Sequence, residues 1–325
     1  MKDELLEVLA KSNNVAIMPH ISPDGDCFGA CTAFYRIAKK LGKSAVVYIE
    51  ETSISETFAF LFDDVEVKCG ENEIQKYDLA VALDCGDLQR LGERKDIFCN
   101  SMITANIDHH ITNTKFAKYN FVFENASSTC EILYDFIKNC SMEIDKQTAQ
   151  SLYTGICTDT GGFRYSNTTP KVHKAAAELI SFGLDVASIS KRVFEMVSME
   201  RLRLQALAIL SLELYDEGRL AVITIDEKMI NYANAADEDL EGFVNIARSV
   251  KGVECAIALR QTQDGKVKAS LRSNNSVDVS LFAAKYGGGG HAKASGFTVE
   301  GNIKDIKNMV VKDAINYLNK SLRER

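Results

Sequence analysis

Four short, partly β-branched apolar runs punctuate the first 110 residues: Val15–Met18, Ala45–Ile49, Leu79–Leu83 and Met102–Ile107. Runs of this length read as strands buried on both faces. A helical pattern, Cys27–Leu41, separates the first two, with Lys39 and Lys40 in its last turn and Gly42 as its C′ residue. Alternation of this kind implies parallel strands, because a parallel pair needs a crossover long enough to hold a helix. The first half therefore reads as α/β, a parallel sheet covered on both faces. In such sheets ligands bind outside the carboxyl ends of the strands. The residues just after each apolar run are therefore the candidates for a site.

Further on, Ser128-x-x-Glu131 reads as a capping box opening a helix to about Lys138. Gln147–Thr158 reads as a buried helix despite Gly155, with a strand as the alternative. Pro170 fits an N1 proline and Gly183 the matching stop. The stretch Val186–Leu212, charged at Lys191, Arg192, Glu195, Glu200, Arg201 and Arg203, has no strand signal and reads as a helical connector. The second half is a smaller α+β domain. Its strands are Leu220–Ile225, Val253–Gln261 and Val267–Arg272, the last two joined by an Asp264-Gly265 hairpin turn. A short helix from Asp278 to near Tyr286 precedes Gly287–Gly290 and His291, and Ile303–Leu318 closes as an amphipathic helix. The expected division is 1–185, a helical linker over 186–213, and 214–325, which suits a length of 325 residues.

Composition excludes several classes. At 46% hydrophobic residues and three prolines, disorder is disfavoured. No window approaches the roughly 18 uncharged apolar residues of a membrane span. The start, MKDELLEVLA, is acidic and amphipathic, unlike a signal peptide. Nine cysteines without a CxxC pair read as reduced thiols of a cytoplasmic protein, not as a disulfide frame or a zinc knuckle. A formal charge of −7 argues against a broad nucleic-acid-coating surface.

The five histidines are not spread at random. His20, Asp24 and Asp26 follow the first strand, and one imidazole with two carboxylates suits a divalent ion of intermediate hardness such as Mn2+. The competing reading is a Pro-Asp-Gly turn with a helix-capping Asp. Asp84 ends the third run, at the same sheet edge as His20, where it could bridge two ions; a loop residue or cap is the alternative. Asp108-His109-His110 ends the fourth. Adjacent side chains diverge, so a workable split has His109 on a metal, His110 toward substrate and Asp108 orienting a histidine. Asp159 closes an apolar segment at the core edge, where a carboxylate needs a partner. Gly287–Gly290 let backbone N–H groups approach an anion, with Arg272 and Lys293 as cations, unless the run is a flexible loop with an incidental His291. His173 reads as structural, Cys27 and Cys31 as packing thiols one turn apart, and Phe58, Phe60 and Phe62 as core.

PHISPDGD, LDCGD, IDHH, YTGICTDTGGFRYSNTTP and GGGGHAKASGF stand in the order found in the DHH phosphoesterase family. The chain resembles that family over nearly its whole length, including a C-terminal DHH-associated domain, and its layout is most similar to the NrnA-type enzymes. The resemblance implies a Mn-dependent phosphoesterase that hydrolyses short oligoribonucleotides to mononucleotides and dephosphorylates 3′-phosphoadenosine 5′-phosphate (pAp). It implies two divalent ions, Mn2+ first, with Mg2+ or Co2+ as alternatives. His20, Asp24 and Asp84 match the ligands of one ion, and Asp26, Asp84, His109 and Asp159 those of the other. His110 matches a substrate-facing histidine, supported by Asp108. Arg272, Ser273, Gly288, Gly289, Gly290 and His291 match the substrate-binding part of the second domain. The cleft between domains is the expected active site. The implied partners are short single-stranded RNA, dinucleotides and pAp, with no membrane, no stable duplex, and a homodimer as the family's assembly. Cys27-Phe28 departs from the small residue followed by Leu that relatives commonly carry. Other readings are a linear or cyclic dinucleotide phosphodiesterase, a family II inorganic pyrophosphatase, which the GGGGH segment disfavours, and a longer RecJ-like exonuclease. A non-catalytic nucleotide-binding regulator would have lost at least one of the six ligand positions, and all six are filled.

Overall fold

Strands buried on both faces need apolar residues at every position, and the apolar runs of the first half do assemble into one parallel sheet. The computed structural model describes residues 2–50, 54–69, 76–262, 264–275 and 277–323. The chain divides into two compact units, Met1–Met196 and Val197–Arg325. The first unit runs α1 (Lys2–Ala10), β1 (Asn14–Met18), α2 (Gly25–Lys40), β2 (Ser44–Ile49), β3 (Val67–Cys69), β4 (Leu79–Leu83), α3 (Lys95–Asn100), β5 (Ile103–Asp108), β6 (Tyr119–Val122), α4 (Thr129–Asn139), α5 (Lys146–Asp159), α6 (Pro170–Ile180) and α7 (Val186–Ser190). The sheet order is β3-β2-β1-β4-β5-β6, with every pair parallel. The order reverses between β1 and β4, so the connections leaving those two strands part in opposite directions. In an open sheet of this kind ligands bind above the carboxyl ends of such a strand pair.

Alternate residues of the central strands feed two cores. Val15, Ile17, Val81, Leu83 and Ile107 pack with Phe28, Phe34, Phe136 and Ile156 of the helices. Ala16, Met18, Ala80 and Ala82 pack on the other face with Ile97 and Phe98. β3 and β6 have no counterpart in the sequence reading. They are the outer strands, three and four residues long and largely half-buried. An edge strand has no need of an unbroken apolar run.

The helix caps follow their residues. Ser128 Oγ accepts from Glu131 N–H at 3.0 Å, while Glu131 reaches the N–H of Ser127, one residue further back than a standard capping box. Thr169 caps α6 with Pro170 at its first position, and Gly183 takes a left-handed φ of +78° after it. α5 keeps Gly155 because its backbone approaches α4 and α2. A Cβ there would lie 2.3 Å from Cys130 Sγ and 2.7 Å from Asp26 Oδ1. Gly29 of α2 faces it, and a Cβ on Gly29 would lie 2.5 Å from the Ser151 carbonyl oxygen. That oxygen belongs to helix backbone and cannot turn aside. Gly29→Ala is expected to lower stability by about 1–3 kcal/mol, read as a lower urea midpoint at unchanged slope.

The stretch expected as one helical connector is broken. A single π turn, Lys191–Glu195, follows α7, Met196 is extended, and Ser198 caps a new helix by accepting from Arg201 N–H. The second unit begins with that helix, α8 (Met199–Leu210), and continues through β7 (Glu213–Tyr215), β8 (Leu220–Ile225), α9 (Glu227–Ala233), α10 (Val244–Arg248), β9 (Cys255–Gln261), β10 (Lys266–Ser273), α11 (Val279–Ala284), β11 (Gly289–His291), β12 (Ala294–Glu300) and α12 (Ile303–Arg323). Its mixed sheet has the order β11-β12-β10-β9-β8-β7, with only β8 and β9 parallel. Leu220, Ile257 and Leu271 pack beneath α11 and α12, and Ala221, Ile223 and Ala256 beneath α8, α9 and α10. Among the described residues no helix is long and apolar enough to cross a membrane. All nine cysteines are free thiols.

Candidate active site

The carboxyl edge of β1 and β4 collects the acidic and imidazole side chains. β1 ends two residues before His20, β4 ends one before Asp84, β5 ends on Asp108, and α5 ends on Asp159. Asp84 is the centre. Its carboxylate is 2% exposed and lies 3.6 Å from His20 Nε2, 3.4 Å from His109 Nε2 and 3.7 Å from His110 Nδ1. Thr129 Oγ1 donates to it at 3.1 Å. Its backbone takes a left-handed φ of +55°, a sparsely occupied conformation for a residue with a side chain. His109 Nε2 also lies 3.3 Å from Asp159.

Asp26 reaches the same cluster from α2. Both of its oxygens accept backbone N–H bonds from the first turn of α4, Thr129 at 2.6 Å and Cys130 at 3.0 Å. A helix N-terminus favours an anion there. Asp108 is fully buried. It accepts from His110 Nδ1 at 2.7 Å and, on its other oxygen, from the Asn113 amide at 2.5 Å. His20 Nδ1 lies 2.7 Å from the Ile21 carbonyl, which can only accept. Its Nε2 faces Asp84. Arg90 approaches the same Nδ1 at 3.0 Å.

Three donor sets result, each with one donor atom per residue and all within 4.8 Å of one another: His20, Cys27 and Asp84; Asp84, His109 and His110; and Asp26, His109 and Asp159. The protonation pattern tests whether they suit cations. Burial, then the charge of Asp84, pushes Asp26 up to about 7. Burial and Asp26 push Asp159 well above the ordinary carboxyl value. Burial would also raise Asp84, but His109 and His20 hold it well below. Burial would lower His109, yet Asp84, Asp159 and Asp26 raise it to about 10. The shifts share one cause, buried carboxylates crowded together, and divalent ions would relieve that crowding. The mixed nitrogen and oxygen donors fit ions of intermediate hardness.

Asp24 stands apart from these sets. It is exposed, and its Oδ1 caps α2 by accepting from the N–H groups of Asp26 and Cys27, both at 3.1 Å. Its charge still helps to raise Asp26 and Asp159. Residues the sequence reading did not assign to the site are Thr129, Asn113 and Cys27. Thr129 directly follows the capping Ser128, and Asn113 lies within reach of the Asp-His-His run, so both had a local signal.

In the second unit the glycine run is a strand edge instead of a loop. Gly289, Gly290 and His291 pair with β12 as β11. A Cβ on Gly288 would sit 2.1 Å from the Gly296 carbonyl oxygen, and one on Gly290 2.6 Å from that of Ala294. These glycines permit the backbone contact that forms the hairpin. Arg272 and His291 both register with Ala294 and so share one sheet face, along which Lys268 and Ser270 also project. Ser273 is buried, and its hydroxyl donates to the Val277 carbonyl at 2.6 Å. His173 stacks on Phe163 at 5.5 Å, outside the cluster.

Comparison with known proteins places this geometry. Residues 14–156 match the DHH family, N-terminal domain, and residues 219–320 match the DHHA1 domain. A bifunctional oligoribonuclease and PAP phosphatase NrnA of Thermus thermophilus is 34% identical over 298 residues, covering 91% of this chain and 87% of the relative. The protein of that name from Bacillus subtilis is 23% identical over 303 residues, covering 92% and 93%. The crystal structure of an exopolyphosphatase-related protein from Bacteroides fragilis has a TM-score of 0.87 and 27% identity, covering 98% of this chain and 95% of that one. With Asp84, the Asp108-His109-His110 run and their supporting carboxylates gathered at one sheet edge, and with these matches, the chain belongs to the DHH phosphoesterase family, carrying a DHHA1 domain after the DHH domain.

Proposed function

We propose that the chain hydrolyses short single-stranded oligoribonucleotides to mononucleotides and removes the 3′-phosphate of pAp, using two divalent ions, Mn2+ foremost. The observation that carries this reading is Asp84, one buried carboxylate 3.4 to 3.7 Å from three imidazoles. The names of the Thermus and Bacillus relatives support the substrate class. His20, Asp24 and Asp84 would hold one ion, and Asp26, Asp84, His109 and Asp159 the other. Bound there, such ions neutralise a phosphate and make water nucleophilic near neutral pH. For Asp24 this requires an oxygen other than the capping Oδ1, or a rotated side chain.

The remaining work falls to side chains. Asp108 orients His110 through Nδ1 and, against the effect of burial, raises its proton affinity, with Asn113 fixing the carboxylate. His110 thus presents a proton at Nε2 and delivers it to the leaving oxygen, or donates a hydrogen bond to the phosphate as charge develops. Arg272 and His291, on one face of the second sheet, support a role in holding the rest of the nucleotide. Nine free thiols support a reducing compartment, the cytoplasm.

Purified protein with Mn2+, offered five-residue RNA, dinucleotides, cyclic dinucleotides, pAp and pyrophosphate, is expected to release mononucleotides from RNA and phosphate from pAp. Turnover of pyrophosphate alone would overturn the substrate assignment, and preference for cyclic dinucleotides would shift it to that class. His110→Ala is expected to lower kcat roughly 10²–10⁴-fold with bound Mn2+ unchanged. Loss of the metal in that variant would instead make His110 a ligand.

A further inference from the structure

Resting on the reading that His20 and Asp84 hold a divalent ion, we propose that Cys27 is a further donor at that position. A sulfur donor there makes the position prefer a thiophilic ion, Zn2+ or Co2+, over Mn2+. Cys27 Sγ, a His20 ring nitrogen and an Asp84 oxygen lie within 4.8 Å of one another. All three residues are buried, with Cys27 at 0% exposure. Asp24, a ligand the resemblance implies, caps α2 through Oδ1 and so brings at most its other oxygen to that position.

The polar surroundings of this sulfur separate it from a packing thiol. The His20 N–H points to Sγ at 3.4 Å, and the S–H points to the Leu83 carbonyl at 3.5 Å. Cys27 is also the third residue of α2. Two neighbouring thiols provide the contrast. Cys31, one turn further along α2, lies in the apolar core and joins no donor set among the described residues. Cys85 turns its sulfur to the Asp87 carbonyl at 3.1 Å and, among the described residues, joins none either.

The chemistry balances without a redox partner. An entering divalent ion displaces the thiol proton to solvent, the S–H bond gives way to an S–metal bond, and no electrons are transferred. Thiolate prefers Zn2+ and Co2+, whereas Asp26 and Asp159 with His109 are a harder set that suits Mn2+. The two positions then differ in metal preference.

Co2+ titration of the full-length, metal-free protein tests this. The wild type should gain a near-ultraviolet sulfur-to-cobalt charge-transfer band together with visible d–d bands. Cys27→Ser and Cys27→Ala should lose the charge-transfer band and keep d–d bands from the remaining nitrogen and oxygen donors. In competition, Zn2+ should displace Mn2+, followed by the electron paramagnetic resonance of released Mn2+, at concentrations lower in the wild type than in either variant. The difference should be at least the roughly 10-fold that metal-supporting groups contribute. Cobalt uptake by the wild type without the charge-transfer band, or the same band in both variants, overturns the Cys27 assignment and leaves the metal reading standing. No cobalt or manganese uptake by the wild type overturns both. Two substitutions, and a band read first in the unaltered protein, keep the result independent of any one variant's folding.

Discussion

Asp84→Asn is expected to reduce hydrolysis of short oligoribonucleotides and pAp by at least on the order of 10³-fold while leaving the fold in place. Asn is the informative replacement because of the backbone. Residue 84 sits at φ +55°, where Asn is among the best tolerated side chains and Ala is strained. Asn also keeps an oxygen for the Thr129 hydroxyl, which donates at 3.1 Å. What it removes is the charge facing His20, His109 and His110. If Asp84 serves both ions, losing that charge weakens both positions together, so bound metal should fall along with kcat. Circular dichroism and thermal melting check the fold, metal analysis checks occupancy, and steady-state rates check activity. A variant that keeps more than about a tenth of wild-type activity, a loss near 1.4 kcal/mol, would remove Asp84 from the bridging role.

The second large effect concerns stability against pH. In the metal-free protein Asp26 is raised to about 7 and Asp159 is raised well above its ordinary value. A carboxyl whose folded value exceeds its unfolded one, near 4, contributes stability below that unfolded value. The contribution is lost as pH rises through the folded value. His109, raised to about 10, acts in the same direction above about 6.5. Asp84, held low, acts oppositely, but only in acid. Metal-free protein should therefore lose stability as pH rises from about 4 to 7 and beyond. Divalent ions need these groups deprotonated, so their stabilisation grows over the same range. At Mn2+ about 1,000 times its Kd the gain reaches about 4 kcal/mol. Melting in EDTA and in Mn2+ at pH 5 and pH 8 should show the gap between the two widening. Asp159→Asn, which removes one crowded charge, should melt higher than wild type in EDTA at pH 8, show a smaller response to Mn2+, and lose activity. Equal EDTA melting temperatures for wild type and variant across this range would sink the account.

Much of the catalytic unit was legible because its central strands have no freedom of composition. β1, β4 and β5 are flanked on both sides and covered on both faces, so each had to be an apolar run. The polar residues that end those runs had to lie at one sheet edge. His20, Asp84 and the Asp108-His109-His110 sequence were found that way. The split within the last of these also came from local geometry, since neighbours on an extended chain diverge. In the structure Asp108 holds His110 while His109 turns to Asp84 and Asp159.

Tertiary structure decided what depends on residues far apart in the chain. Asp26 is fastened to the first turn of α4, about 100 residues away, and no local pattern encodes that pairing. The same holds for Gly29 against α5 and for Gly288 and Gly290 against β12, where glycine is required by a neighbouring backbone and not by a turn. Asp24 shows the limit in another form. A carboxylate beside a helix start suits both a cation and a cap, and only the fold directs its Oδ1 to the N–H groups of Asp26 and Cys27. Short edge strands, half-exposed and free of strict composition, form where a neighbour offers pairing. By itself the sequence determined the sheet's central strands and which residues crown them, because burial on both faces leaves few choices. Which of those residues meet, and which are diverted to hold backbone, was settled by long-range packing.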